Sequence, residues 1–513
     1  MKKITRLFGL FIILLVVAAA CSKESYEPST PTTPTTTPTT TTTPTISSEI
    51  QYATQFAKDV LENYYLWNKE IASSISSSLD PETCTDPVAT VEKIRYKQGG
   101  GYNSKQDEDR WTQLFEDVTP FQESVQGVET TNGMSLSLGT FNNTTPQAYF
   151  FIVNFVYADS PAAKAGLKRG DYITTYNGED ITQANINTAY YGETTAKYGL
   201  AVKTAEGYIQ DTGEEVTLEA VKMYLDPIVC SKVFDVAGKK VGYLMYDSFD
   251  LDSAEKLINV CKDFKKEGVT ELILDLRYNG GGYVMTENLL ASMLAPADKV
   301  EQKALYQQEI YNSILTQAWS KDDKDFNKTF FTFDHEINKK KLSTKDANIG
   351  LNKIYAIVTN NTASASEAIL VGLNPYIDLV TIGQRSYGKY CTGFILGADD
   401  VYEKAPTVIS KWGIYVMITT YADCDNKNLA RPVGIDPDVE AKDSPMDGYP
   451  LGDENETMLK AALKKAGKNT VVATTRALDN TPQMELKMLR NKYKFGKRIL
   501  QMPTKFKQEL EER

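Results

Sequence analysis

Three short stretches combine residue types and spacings that can do chemistry. In DLRYNGGG (275–282) three glycines follow a hydrophobic run. Glycine accepts φ > 0 and leaves amide N–H groups facing open space, which suits either a plain turn or a receptor for an anion or oxyanion. In NTASASE (361–367) Ser364 and Ser366 open a helix-like run. A hydroxyl there either caps the helix or is presented as a nucleophile at its positive end. In GQRSYGKY (383–390), Gly383, Gly388 and Lys389 nearly spell the phosphate loop G-x-x-x-x-G-K-[ST], but Tyr390 stands where a small hydroxyl would ligate magnesium. The sequel YCTGFILG reads as strand and turn, whereas a phosphate loop runs straight into a helix, so no nucleotide is expected at Lys389.

Composition narrows the chemistry further. The 513 residues contain one histidine, His335, in FFTFDHEINKKK between Asp334 and Glu336, where a solvated surface position is expected. A histidine base or a zinc site with several histidines is thereby set aside, and neither a metal nor another cofactor is expected. The formal charge of −11, without a long basic patch to offset it, argues against nucleic acid as a partner.

The elements that would position these residues can be read from periodicity. ELILDL (271–276) and KIYAIVT (353–359) are buried-strand runs, each leading through one of the first two stretches into a helix, TENLLASML and SASEAILVGL. VGYLMY (241–246) is a further strand, and 252–268 a helix that starts at Asp252 or Ser253 and ends at Gly268. Residues 300–350 are polar and Lys-rich and read as a surface excursion. Upstream, 50–67 places Tyr52, Phe56, Val60 and Tyr64 on one helical face, opening a helical N-terminal domain over 47–126. A helical segment is expected over 446–513. The whole is an α+β multidomain chain.

The N-terminus pairs Lys2, Lys3 and Arg6 with an apolar run, three alanines and Cys21, an export signal over 1–20 that resembles a bacterial lipoprotein signal. That resemblance implies lipidation of Cys21 and a lipid anchor to a membrane. The tract PSTPTTPTTTPTTTTTPT within 21–46 has no apolar residue to bury and is expected to be an extended tether. Lipid and tether together place the folded part in the cell envelope, with the outer membrane suggested by Ser22, Lys23 and Glu24. The remaining five cysteines are widely spaced, with room for one disulfide at most expected of them.

Two further resemblances concern the folded part. Within 127–226, Ser160, Pro161, Ala162, Ala165, Gly166, Leu167, Gly170, Asp171, Ile173, Asn177 and Gly178 match the second half of a bacterial PDZ domain. PDZ domains add a peptide as a strand and hold its terminal carboxylate on backbone N–H groups. Gly133, Met134, Ser135 and Leu136 are the stretch most similar to that carboxylate loop. The order DLRYNGGG, TASASE, SYGK, with GIDPDVEA at 434–441, resembles the C-terminal processing peptidases, or tail-specific proteases, over about 130–440.

This second resemblance implies a peptidase core at 227–445 with a crotonase-like ββα fold. Its substrate would be a polypeptide with a free C-terminus, selected by an unstructured tail. Ser364 becomes the nucleophile, with Ser366 its nearest rival, and Lys389 the general base. Gly281, Gly282 and the N–H of Ala365 fall where such enzymes bind the oxyanion; Arg277, Glu367 and Ser386 fall at supporting positions. The chemistry agrees: without histidine, a serine needs another base, and lysine can serve if burial lowers its pKa from about 10.4 toward 7. Where the family carries a glutamine to orient the lysine, this chain has Gly393, so either another group such as Ser386 or Thr392 takes that role or the dyad is poorly organised. The alternative class is a non-catalytic peptide-binding lipoprotein of the envelope on the same fold; the sequence does not speak to oligomeric state.

Overall fold

The computed structural model describes residues 46–98, 107–141, 149–192, 194–468, 484–488 and 496–501. The candidate export signal, Cys21 and the tether lie outside them.

Two sheets frame the site. The first has six strands in the order Ile228–Val236, Lys239–Tyr246, Val269–Asp275, Lys353–Val358, Asp378–Gly383, Val439–Glu440. Its first pair is antiparallel and the rest parallel, and the central runs are buried on both faces, as continuous apolar strands require. The helices Ala254–Lys266, Val284–Leu294 and Ala365–Leu373 follow its strands. The second sheet runs Gly281–Tyr283, Lys497–Ile499, Cys391–Gly397, Gly413–Asp423, Leu305–Tyr311, Lys328–Phe330, with Gln113–Phe115 added beside Gly413–Asp423. Both expected junctions are present: Val269–Asp275 turns through the glycines toward Val284–Leu294, and Lys353–Val358 turns through Thr362 and Ala363 into Ala365–Leu373.

A third sheet belongs to the PDZ-like part, ordered Met484–Met488, Met134–Phe141, Tyr149–Val156, Tyr172–Tyr176, Ala196–Lys203, Ile209–Leu218. Its short helix Pro161–Lys164 is capped by Ser160, whose hydroxyl accepts from the Ala163 N–H.

Several expectations change. The N-terminal helix Ser48–Asn63 buries Ala53, Phe56, Ala57, Val60 and Leu61, while Tyr52 points to solvent. The helices of 47–126 share one continuous apolar core with the two-sheet body, because each is too short to bury its face alone. The polar stretch 300–350 contributes the interior strand Leu305–Tyr311, whose Gln307 and Glu309 are buried. The C-terminal region is helical only over Thr457–Lys465; its other described elements are the strands Met484–Met488 and Lys497–Ile499. His335 is half-buried on a hairpin with Nε2 against the Thr332 carbonyl (2.9 Å), and burial pulls its imidazole down to about 4. Cys84, Cys230, Cys261, Cys391 and Cys424 are all unbridged.

Candidate active site

The first junction is fastened to the second by side chains that close every turn. Thr359 Oγ1 donates to the Arg277 carbonyl (2.5 Å) and Thr362 Oγ1 to the Leu276 carbonyl (2.8 Å). The Asn279 carbonyl accepts from the Ala363 N–H (3.1 Å) and from Ser366 Oγ (3.0 Å). Gly281 and Gly282 have φ of 111° and 146°, and neither could carry a side chain. A Cβ on Gly281 would stand 2.8 Å from the Ser364 Cβ, and one on Gly282 2.3 Å from the Phe249 carbonyl oxygen. The glycine strand thus lies directly against Ser364. The Gly281 N–H itself is engaged, donating to Asn279 Oδ1 (2.9 Å).

Ser364 sits at the helix start with φ 67° and ψ −117°, a strained backbone for a residue with a Cβ. Its Oγ is buried without a hydrogen-bond partner among the described residues. Ser366, by contrast, has its hydroxyl committed to Asn279. A buried hydroxyl left unmatched costs free energy, so Ser364 is held for something other than capping.

Glu367 connects this serine to the lysine loop. Its buried carboxylate accepts from the N–H groups of Ser364 (2.9 Å), Gly388 (2.7 Å) and Lys389 (2.8 Å) and from Ser386 Oγ (2.5 Å). Burial pushes this carboxyl up to about 7, against the pull of those donors. Ser386 Oγ also accepts from the Ile435 N–H (2.7 Å), which ties the lysine loop to the Gly434 segment. The loop that imitates a phosphate cradle therefore does hold an anion, the carboxylate of its own chain.

Lys389 is wholly buried, and desolvation pulls its amine down to about 8. Nζ lies 5.4 Å from the centre of the Trp111 ring and 5.2 Å from that of Tyr415, and donates to the Tyr415 hydroxyl at 2.9 Å. An amine so placed is poised to lose its proton near neutral pH.

The sequence profile of Peptidase family S41 matches residues 240–441 and that of the PDZ domain residues 152–191. Both junctions, Ser364 and Lys389 fall inside the first. Residues 240–441, the part that holds the candidate site, are thus similar to peptidase family S41. It is 22% identical over 350 residues to the carboxyl-terminal-processing protease of Picosynechococcus sp., covering 67% of this chain and 73% of that one. It is 23% identical to carboxyl-terminal-processing peptidase 3 of Arabidopsis thaliana, covering 60% of this chain but only 54% of the plant protein. In three dimensions it resembles a protein assigned as an S41 protease from Bacteroides fragilis, with a TM-score of 0.62, 26% identity, and coverage of 80% of this chain and 96% of that one.

The group that holds the lysine is one the sequence did not disclose. Thr392 is taken by Arg498, whose Nη1 donates to Oγ1 (2.5 Å), and Ser386 serves Glu367, so neither orients Lys389. Tyr415, from the fully buried strand Gly413–Asp423, does so. The reason is steric: a Cβ on Gly393 would lie 2.7 Å from Cε2 of Tyr415 and 2.6 Å from the methyl of Met417. The Tyr415 ring, the Met417 methyl and the Val416 carbonyl oxygen (2.7 Å) together fill the space that a side chain at 393 would need. The absent glutamine was the only signal in the sequence that another strand must supply a substitute.

Arg277 lies at the end of its strand in a buried ion cluster. It is paired with Asp275 (Nη2 to Oδ2, 2.7 Å), Glu456 (Nη1 to Oε1, 2.6 Å) and Asp443 (Nη1 to Oδ1, 2.9 Å). Arg169, from the PDZ-like part, joins Asp443 (2.8 Å) and Glu456 (3.4 Å). The stretch resembling a carboxylate loop begins the strand Met134–Phe141. Gly133 N–H donates to Thr131 Oγ1 (3.0 Å) and Met134 N–H to Asn132 Oδ1 (3.1 Å), Ser135 pairs with Phe155, and Leu136 is buried.

Proposed function

We propose that this protein is a serine endopeptidase working through Ser364 and Lys389 on polypeptides presented by an unstructured C-terminal tail. The single observation that carries the reading is Ser364 itself: its backbone is strained, its hydroxyl has no partner among the described residues, and its N–H is tied through Glu367 to the loop of a buried, desolvated lysine. Neutral Lys389 Nζ, still donating one N–H to Tyr415, takes the Ser364 proton on its lone pair as Oγ attacks the scissile carbonyl. The N–H groups of Gly282 and Ala365, the latter at the positive end of its helix, receive the oxyanion, and Gly281 supplies the strand against which the carbonyl is laid. Protonated Lys389 then gives the proton to the leaving amine, and water repeats the cycle on the acyl-enzyme. A lipid on Cys21 would hold the enzyme in the cell envelope, on the outer membrane, with the Pro/Thr tether setting its reach.

The test is cleavage of an unfolded polypeptide by the full chain beside its Ser364→Ala variant. Equal rates would remove Ser364 from the mechanism; loss in Ser366→Ala alone would move the role there. A rising pH profile is the second expected outcome. Lysine is active when neutral, and its pKa is lowered to about 8, so kcat/KM should climb as pH rises through about 8 and then level. Glu367, pushed up to about 7, works in the same direction, since only its ionised form accepts all four donors. A profile that falls over this range would sink the lysine base.

Tyr415→Phe keeps the ring and removes the acceptor of the lysine proton. Hydrogen bonds to charged groups contribute about 1.5–3 kcal/mol, so kcat should drop by roughly 10-fold or more. Because Tyr415 acts through Lys389, the rising limb of the pH profile should move as well, which loss of packing alone would not cause. An unmoved limb would reduce Tyr415 to a packing residue.

A further inference from the structure

Ser364, Lys389, Gly281 and Gly282 are all buried, so an unfolded substrate cannot meet the catalytic pair as the chain stands. What lies over the glycine strand is the protein's own C-terminal segment. Lys497–Ile499 runs parallel to Gly281–Tyr283, with Gly281 opposite Lys497 and Gly282 opposite Arg498. The Lys497 carbonyl oxygen and the Ser364 Cβ stand 2.2 and 2.8 Å from the point where a Cβ on Gly281 would project. A backbone carbonyl is therefore already laid beside the serine, where the proposed mechanism puts the scissile one. The same segment engages the base: the Tyr415 hydroxyl that accepts from Lys389 also donates to the Arg498 carbonyl (2.9 Å) and accepts from the Arg498 N–H (3.1 Å).

Slightly earlier in the chain, Met484–Met488 adds to the outer edge of the PDZ-like sheet, antiparallel to Met134–Phe141. Its register runs from Met484 opposite Phe141 to Met488 opposite Ser137, so its C-terminal end points toward 133–136. That is strand addition to an open sheet edge, the mode in which such domains take a peptide. One segment thus follows both halves of a route from the PDZ edge to the serine.

Arg498 fills a pocket of unusual chemistry. Its guanidinium is fully buried and meets Glu287 Oε2 (2.8 Å), Glu309 Oε1 (2.7 Å), Gln307 Oε1 (2.5 Å) and Thr392 Oγ1 (2.5 Å), beneath the Tyr421 ring (4.4 Å). Two buried carboxylates demand a cation, so whatever replaces the segment must bring one.

We propose that the stretches 484–488 and 496–501 are a built-in competitor lying on the substrate's path, and that the Glu287/Glu309 pocket is a subsite for a basic side chain. This rests on the peptidase reading above. Substrate tails displace the segment, first from the sheet edge and then from the glycine strand, and bring an arginine or lysine to the pocket. Tethering raises the local concentration of such a competitor to the order of mM, so modest intrinsic affinity suffices to keep the site closed.

The test uses the full chain and a synthetic peptide of residues 484–501. Glu485→Pro with Lys487→Pro removes two backbone donors from the strand at the PDZ edge. The double variant should cleave a peptide bearing a free C-terminus about tenfold faster than the unaltered chain. The synthetic peptide should inhibit it competitively, and the same peptide with Arg498→Glu should not. A folded double variant with unaltered rate, or equal inhibition by both peptides, overturns the proposal. A measurement independent of cleavage and of the proline variant uses Ser364→Ala and an excess of isotopically heavy peptide. The chain's own amides at 484–488 and 497–499 should then exchange faster with solvent together; unchanged protection would mark the segment as a fixed part of the fold and refute displacement. If the heavy peptide displaces the segment but the unaltered chain and the proline variant cleave nothing, the peptidase reading fails while the competitor stands.

Discussion

Lys389→Met should lower kcat for peptide hydrolysis by about 10³-fold or more while leaving KM within a few-fold, the range associated with removing a general base that works as a unit with its nucleophile. Methionine matches the length of the lysine stem and suits a pocket walled by Trp111 and Tyr415, so folding should survive. Two other titratable groups bear on this expectation. The single histidine sits on a separate hairpin with its Nε2 against the Thr332 carbonyl. Lys497, also buried, has its amine over the Phe121 and Tyr415 rings, 4.7 Å from each centre, and burial pulls it down to about 7. If Lys389→Met retained activity within tenfold, Lys497 would be the group to replace next, and the assignment of the base would change. Steady-state kinetics with a parallel melting curve decides between these outcomes.

Arg277→Met should cost roughly 3–5 kcal/mol of stability, the usual consequence of leaving buried charges without their partner. Asp275 and Glu456 are wholly buried, and Arg277 reaches both with paired nitrogens. After the substitution Asp275 keeps the Tyr243 hydroxyl at 2.9 Å but no cation that the remaining contacts supply. Glu456 retains Arg169 at 3.4 Å. The urea midpoint should fall accordingly, and a second change of Asp275→Asn should recover part of the loss, because it withdraws the orphaned charge. A midpoint within about 1 kcal/mol of the unaltered chain would mean that the carboxylates find water or protons at little cost.

What the sequence disclosed and what it hid divide along a physical line. The two junctions were legible because each is local: a continuous apolar run dictates a strand buried on both faces, and glycine or serine placed just after it fixes the turn. The sequence could also put Ser364 and Lys389 into one discussion, through motif order. Tyr415 was hidden, since it reaches Lys389 from another strand and resembles any other core aromatic in the run GIYVMITTYAD. The polar, Lys-rich composition of 300–350 reads as surface, yet the stretch holds the interior strand Leu305–Tyr311, whose Gln307 and Glu309 face the Arg498 guanidinium. The strand Lys497–Ile499 was missed for the matching reason, as a basic stretch whose partners lie two hundred or so positions upstream.

The shared space between Gly393 and Tyr415 has a consequence for how this site could have arisen. That volume is closed to a side chain at 393 by the Tyr415 ring, the Met417 methyl and the Val416 carbonyl oxygen together. Passing from one way of holding the amine to the other takes changes at 393 and 415 together with a shift of Met417 and the Val416 backbone. Enlarging 393 first drives a side chain into the ring, while shrinking 415 first leaves the lysine without its acceptor. Each single step descends before the second recovers, so the two solutions are separate peaks divided by a valley, and a lineage that settled on the tyrosine is held there by geometry.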